Sequence, residues 1–232
     1  MSSAGAIACI GGGGFLTEDF RGLQERHLLT LIRAPKGPRP RVLYLGLAHG
    51  DAESRQLRAF KVFAPLGCEL HLLPFFPYEM KRDYVAEAMA ADLIYVGGGN
   101  TPAMIAVWRE FGFDRALHGA WQAGTVLAGV SAGANCWFEH YVTDSVPGGG
   151  VRAGLGWLQG TFCPHLDSEP WRQPLLAGVS NPPAYGVREG GMMIVRPDAQ
   201  PEFVADKPGV TANLRLPGEE AREVPSLDLS SR

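Results

Sequence analysis

Short apolar runs alternate with segments of helical periodicity through the first 140 residues. That alternation restricts the fold more than any other feature of the chain. Strands are predicted at Ala6 to Ile10, Val42 to Leu47, Glu69 to Leu73, Leu93 to Val96 and Thr125 to Val130. Several of these runs lack polar alternate positions, as strands buried on both faces do. Between them, Glu18 to Ile32 places Phe20, Leu23, Leu28, Leu31 and Ile32 near one helical face, with Thr17 as N-cap. Asp51 is the expected N-cap of a helix through Phe63, and Tyr84 to Ala90 reads as a short helix. Thr101-Pro102 opens another, with Thr as N-cap and Pro at the first helical position. Helices are also expected at about Asp114 to Gln122 and Ala132 to Glu139. Strand, helix, strand, helix implies an α/β fold: a mostly parallel sheet with helices on both faces.

After Tyr141 the pattern changes. Pro147-Gly148-Gly149-Gly150 marks a loop, and short extended pieces follow near Gly160 to Cys163, Tyr185 to Val187, Met192 to Val195 and Glu202 to Ala205. The last two predict a C-terminal β-hairpin around the turn dipeptide Pro197-Asp198. Residues Pro217 to Arg232 are polar and are expected to fray. No linker separates the halves, so residues 1–232 read as one domain. A chain of this length buries roughly 70% of its unfolded surface and needs no metal or disulfide to hold a core.

Composition removes several function classes. The net charge is −3, so no basic excess exists to neutralise a phosphate backbone, and a nucleic-acid partner is not expected. Cys9, Cys68, Cys136 and Cys163 form no C-x-x-C pair, and Met1 to Gly14 lacks the basic start of a secretory segment. No apolar run approaches the ~20 residues that span a bilayer. The expectation is a cytoplasmic protein with reduced thiols, no membrane partner, no metal site and no cofactor. A homo-oligomer is compatible with the sequence.

Gly129-Val130-Ser131-Ala132-Gly133 is a G-x-S-x-G pentapeptide. An apolar strand leads in and helix-forming residues lead out, which is the setting of a nucleophile elbow. The turn is so tight that the serine's neighbours must be small, hence Gly129 and Gly133. Ser131 then projects from the carboxyl end of the sheet, where parallel sheets bind ligands. The amide of Ala132, at the helix start, can stabilise an oxyanion. A small-residue turn without chemistry would carry the same letters.

Serine needs a base. Of the six histidines, His27 and His118 fall in helices, His71 lies within a strand, and His140 ends the expected elbow helix. His49 follows the second strand at the same sheet end as Ser131. His165 follows the extended Thr161-Phe162-Cys163-Pro164 and precedes Asp167-Ser168-Glu169. His165 leads and His49 is its rival. Gly97-Gly98-Gly99-Asn100 joins a buried strand to a helix, and its glycines allow backbone amides to approach an anion closely. The Gly11 to Gly14 run fits neither G-x-G-x-x-G nor a P-loop, and is assigned to close packing or substrate backbone contact.

Val96-Gly97-Gly98-Gly99-Asn100-Thr101, then Gly129 to Asn135, then Pro164-His165 resemble the S51 serine peptidases, the aspartyl dipeptidase (peptidase E) and cyanophycinase relatives. Order, separations and length match along nearly the whole chain. The resemblance implies a flavodoxin-like sheet related to class I glutamine amidotransferase domains. It implies a nucleophile at Ser131, a base at His165, and an oxyanion hole from Gly98, Gly99 and Ala132. Gly186-Val187-Arg188-Glu189-Gly190 matches the family's Gly-x-x-Glu-Gly segment, which points to Glu189 as the third member. Asp167 stands in an H-x-D arrangement and is the alternative acid; Asp144 is a third candidate.

The implied reaction is hydrolysis of a short peptide, with an N-terminal aspartate favoured, through an acyl-enzyme. Arg172 is a candidate for the substrate's carboxylate, Asp144 or Glu169 for its amine, and Asn100 for a further contact. Glu169-Pro170-Trp171-Arg172 departs from the dipeptidase pattern. That departure leaves open a broader exopeptidase or a cyanophycinase-like hydrolase of β-linked aspartyl–arginine units. A carboxylesterase, with Asp144 as acid, and a non-catalytic binding module are the readings outside the peptidases.

Overall fold

The computed structural model describes residues 4–14, 21–76, 82–180 and 183–231. Five strands form the parallel centre of an eight-stranded sheet: β1 (Ile7–Ile10), β2 (Arg41–Leu45), β3 (Glu69–Leu72), β4 (Leu93–Val96) and β5 (Val126–Val130). They lie in the order β1-β5-β4-β2-β3, all parallel. Of the intervening helices, α1 (Leu23–Thr30) and α2 (Glu53–Phe63) cover one face. On the other face lie α3 (Tyr84–Ala90), α4 (Thr101–Glu110), α5 (Phe113–Gln122) and the single turn α6 (Ala132–Asn135). The sheet's side chains divide by strand alternation. Val42, Tyr44, Leu93 and Tyr95 pack with Leu28, Val62 and Phe63, whereas Leu43, Leu45, Ile94 and Val96 pack with Met104, Trp108 and Leu117. This is the flavodoxin-like α/β arrangement.

The second half of the chain does more than the scattered extended pieces suggest. It builds a six-stranded mixed sheet from β6 (Phe138–Thr143), β7 (Gly150–Ala153), β8 (Leu158–Cys163), β9 (Ala184–Val187), β12 (Thr211–Arg215) and β13 (Arg222–Pro225). Phe138, Tyr141, Phe162 and Tyr185 turn one face to the main core. The other face packs under α7 (Arg172–Ala177) through Val142, Cys163 and Leu176. The expected hairpin forms from β10 (Gly191–Val195) and β11 (Glu202–Ala205), antiparallel, and β10 extends the main sheet beside β1.

Several expectations are corrected. The elbow helix does not reach Glu139: it ends after one turn and the chain enters β6, so His140 is a strand residue. Trp137 decides this. Its fully buried ring stacks on Trp157 and Trp108, which draws the backbone off the helical path and into the gap between the sheets. The tail is not frayed, because β13 pairs with β12, β14 (Leu227–Asp228) pairs with β11, and Leu229 is buried. Asp51 does not cap α2. It has φ 55°, and its carboxylate accepts the amide of Phe75 at 2.6 Å. Asn100, rather than Thr101, caps α4, its side chain accepting from Ala103 N at 2.9 Å. The expected cap Thr17 and the first turn around Phe20 lie outside the described residues.

Candidate active site

Ser131 occupies a strained backbone position at the end of β5, with φ 54° and ψ −111°. Non-glycine residues seldom adopt positive φ, and where they do the surrounding structure must hold them. Two glycines make the holding possible. A Cβ on Gly129 would lie 2.1 Å from the carbonyl oxygen of Gly133, and one on Gly133 would lie 2.3 Å from that of Val96. The turn is thus closed on its own backbone and on the neighbouring strand, and Ser131 Oγ stands out at the carboxyl end of the sheet.

His165 comes from the other sheet, just past β8. Its backbone φ is 57°, a second strained position, and its amide donates to Gly11 O at 3.0 Å. The imidazole Nε2 lies 2.8 Å from Ser131 Oγ, and Nδ1 lies 2.5 Å from Glu189 Oε1. Glu189 sits in the turn between β9 and β10. Burial pushes its carboxyl up, but the hydrogen bond and charge of His165, with a hydrogen bond from Ser168, outweigh burial and hold it below the usual glutamate value. Asp167, the alternative acid, accepts the backbone amide of Glu189 at 2.9 Å. It anchors the turn that carries the carboxylate, while Glu189 itself meets the imidazole.

The role of the first glycine run was only half legible. A Cβ on Gly12 would fall 2.4 Å from Glu189 Oε2, and Gly12 O accepts from Gly190 N at 3.0 Å. The run is bare because the carboxylate of a residue 177 positions later in sequence occupies the space. Ser168, noted in sequence only as part of a loop, is a second donor to that carboxylate at 2.9 Å.

Gly97 to Asn100 follows β4, beside the elbow. A Cβ on Gly99, whose φ is 139°, would lie 2.1 Å from Ala48 O. The loop is braced from below by the 3-10 turn Leu47–His49, where Asn100 N donates to Ala48 O at 2.7 Å. Among the described residues the amides of Gly98 and Gly99 have no protein acceptor. The amide of Ala132 is the first of α6, a position without an intrahelical acceptor. Asn100 is occupied as the cap of α4 and donates to Ser145 O at 3.2 Å.

His49, the rival base, is engaged elsewhere. Its Nε2 is 2.9 Å from Tyr44 Oη, and no hydrogen bond among the described residues joins it to Ser131. Burial, then the charge of Arg55, lower its pKa to about 4. An unfolded imidazole takes up its proton near 6.5. Between those values the unfolded chain binds more protons than the folded one, so stability falls as pH drops from about 6.5 toward about 4. His49→Gln is expected to flatten that part of the pH dependence. Denaturant midpoints at several pH values between 4 and 7 measure it; an unchanged slope would disprove the assignment.

Arg172, expected to meet a substrate carboxylate, is turned inward. It is 3% exposed, donates to Glu169 at 2.8 Å and Val142 O at 2.8 Å, and approaches Asp144 at 3.3 Å. Its guanidinium also lies over the Trp171 ring. The charges of both carboxylates expected to meet a substrate amine are therefore already met by Arg172. Arg172→Met should cost about 2–3 kcal/mol, since the buried carbonyl and Glu169 lose their donor while the exposed Asp144 is screened. For a chain of this size that is roughly 4–12 °C in Tm. A melting curve superimposable on the parent's would refute the anchoring role. The four thiols are free and buried, and burial pushes that of Cys163, two residues before His165, up to about 12.

The sequence profile of peptidase family S51 matches residues 7–200. The chain belongs to peptidase family S51. It is also 42% identical over 169 residues to the uncharacterized peptidase YgaJ of Bacillus subtilis strain 168, covering 72% of this chain and 71% of that one. Among solved structures, a peptidase from an acI-B1 Actinobacterium superposes with a TM-score of 0.72 at 21% identity, over 96% of this chain and 95% of the other. A candidate peptidase E protein from Listeria monocytogenes EGD-e gives 0.64 at 15% identity, over 87% and 98%. These two likenesses speak to the fold. As an S51 member the protein is a serine peptidase, and its elbow lies within the matched span. No helix among the described residues is long and apolar enough to cross a membrane.

Proposed function

We propose that this S51 peptidase hydrolyses short peptides from the amino end, preferring dipeptides with an N-terminal aspartate, through Ser131, His165 and Glu189. The chain of contacts from Ser131 Oγ through both nitrogens of His165 to Glu189 carries the reading. In the first step His165 Nε2 takes the Ser131 proton as Oγ attacks the scissile carbonyl. The oxyanion is met by the amide of Ala132 and by those of Gly98 and Gly99, which need an acceptor. His165 then gives its proton to the departing amine, leaving an acyl-serine. Water, deprotonated by the same nitrogen, attacks the ester and restores the hydroxyl. Throughout, Glu189 remains a carboxylate, because its bonds from His165 and Ser168 hold its acid strength up. It orients the ring and stabilises the imidazolium.

The aspartate preference is supported by the motif resemblance and by the family's peptidase E relatives. The carboxylesterase reading has less support, because Asp144, the acid it requires, is held by Arg172. Assays of Asp-Leu, Ala-Leu, N-acetyl-Asp-Leu and nitrophenyl acetate with one preparation test the substrate. The expected order has Asp-Leu fastest and the acetylated peptide inert. Equal turnover of Asp-Leu and its acetylated form would overturn the exopeptidase assignment.

A further inference from the structure

A groove of about 390 Å³ runs along the outer face of α4, between that helix and β6–β7. Pro102, Ile105 and Arg109 line it from the helix, and Tyr141, Val146 and Arg152 from the opposite wall. One end adjoins the oxyanion loop, because Ser145, the neighbour of Val146, donates through its hydroxyl to Gly99 O at 3.2 Å. The other end, at Arg109, lies seven residues further along the helix, roughly 10 Å by helical rise.

Three polar groups converge there. Tyr141 and Arg152 are directly paired across β6 and β7. The Tyr141 side chain is only 1% exposed, yet its hydroxyl has no hydrogen-bond partner among the described residues. Neither arginine has an ion-pair partner among the described residues; Arg109 makes one hydrogen bond, to Gly154 O at 3.2 Å. An unpartnered hydroxyl at the groove wall, beside two guanidiniums, suits an anion that accepts from all three. Burial pushes the Tyr141 phenol up to about 12 despite the opposing charges of Arg152 and Arg109, so it remains a donor at neutral pH.

We infer that this groove is a subsite for the leaving part of the substrate, and that Arg109, Arg152 and Tyr141 bind a peptide carboxylate there. The inference rests on the exopeptidase reading and extends it past the dipeptide: in a longer peptide cut after the same first residue, the remaining residues lie beyond the scissile bond. An extended chain advances roughly 3.3 Å per residue, so the groove alone holds about three residues between the oxyanion loop and the cations. The carboxylate is therefore the C-terminus of a tetrapeptide or a longer peptide, or an acidic side chain at that position. A dipeptide's own C-terminus falls short of it.

The test is calorimetric binding to the Ser131→Ala protein, in which no cleavage intervenes. The probes are Asp-Leu-Ala-Ala as free acid, its C-terminal amide, and the amidated Asp-Leu-Ala-Glu. The free acid should bind about tenfold more tightly than its amide, and the glutamate peptide should recover most of the difference. In Arg109→Gln/Arg152→Gln the advantage should vanish, and in Tyr141→Phe it should shrink by a few-fold. An acid-to-amide ratio near one in the Ser131→Ala protein, or a ratio unchanged by the arginine substitutions, would overturn the subsite. Failure of the underlying reading is seen separately: acetylated Asp-Leu would then be cleaved as fast as Asp-Leu by the unmodified enzyme. Arg152 is exposed on β7, so its single substitution to Gln keeps the test open if the double variant misfolds.

Discussion

Replacing Ser131 by alanine should lower kcat for Asp-Leu by about 10⁴-fold or more while leaving the melting temperature within about 2 °C of the parent's. The loss is large because the variant has no atom that can form the acyl intermediate. His165 cannot substitute for it, since its Nε2 is placed to receive a proton at 2.8 Å from the missing oxygen. In triad enzymes, removal of the nucleophile leaves only what binding and the oxyanion donors supply. The fold should tolerate the change. The elbow's geometry is set by the bare backbones of Gly129 and Gly133, and the variant retains a Cβ at position 131. Steady-state kinetics and a thermal melt on one preparation check both halves. Hydrolysis at the parental rate would remove Ser131 from the mechanism, and collapse of the melting transition would show that the hydroxyl has a structural part.

Glu189→Gln is expected to give the second largest effect, a fall of roughly 10³–10⁴ in kcat, with Asp167→Asn falling by no more than about tenfold. The two carboxylates are separated by what they touch. Glu189 Oε1 is 2.5 Å from His165 Nδ1, and its carboxyl is held ionised against burial by that contact and by Ser168. An amide in its place keeps much of the shape but cannot stabilise the imidazolium, and it allows the wrong tautomer of the ring. Asp167 accepts a backbone amide, a task an asparagine oxygen can also perform. The pair should be compared with Asp-Leu at saturating concentration, so that kcat rather than binding is read. A larger loss in Asp167→Asn than in Glu189→Gln would exchange their roles.

The strands of the main sheet were legible because each is a local apolar run, and the elbow because its small residues and its serine are contiguous. Leu93 to Val96 is a strand as read, and Tyr84 to Ala90 a helix as read. What failed did so where a distant partner decided the outcome. The elbow helix stops after one turn because Trp137 is drawn into a stack with Trp157 and Trp108. The polar tail is ordered because β11 and β12 offer it sheet edges. The anchoring of Arg172 was not legible because its acceptors, Glu169 apart, lie 28 to 30 residues before it.

The division at the candidate site follows the same physics. Sequence alone determined the central parallel strands, the strand–turn–helix around Ser131 and the identity of the small residues that permit it, since these depend on neighbours along the chain. Tertiary structure alone decided which histidine faces the serine, which carboxylate faces that histidine, and why Gly12 has no side chain. Each of those is a contact between segments tens to hundreds of residues apart, and the distance between two such segments is set by the packing of both sheets.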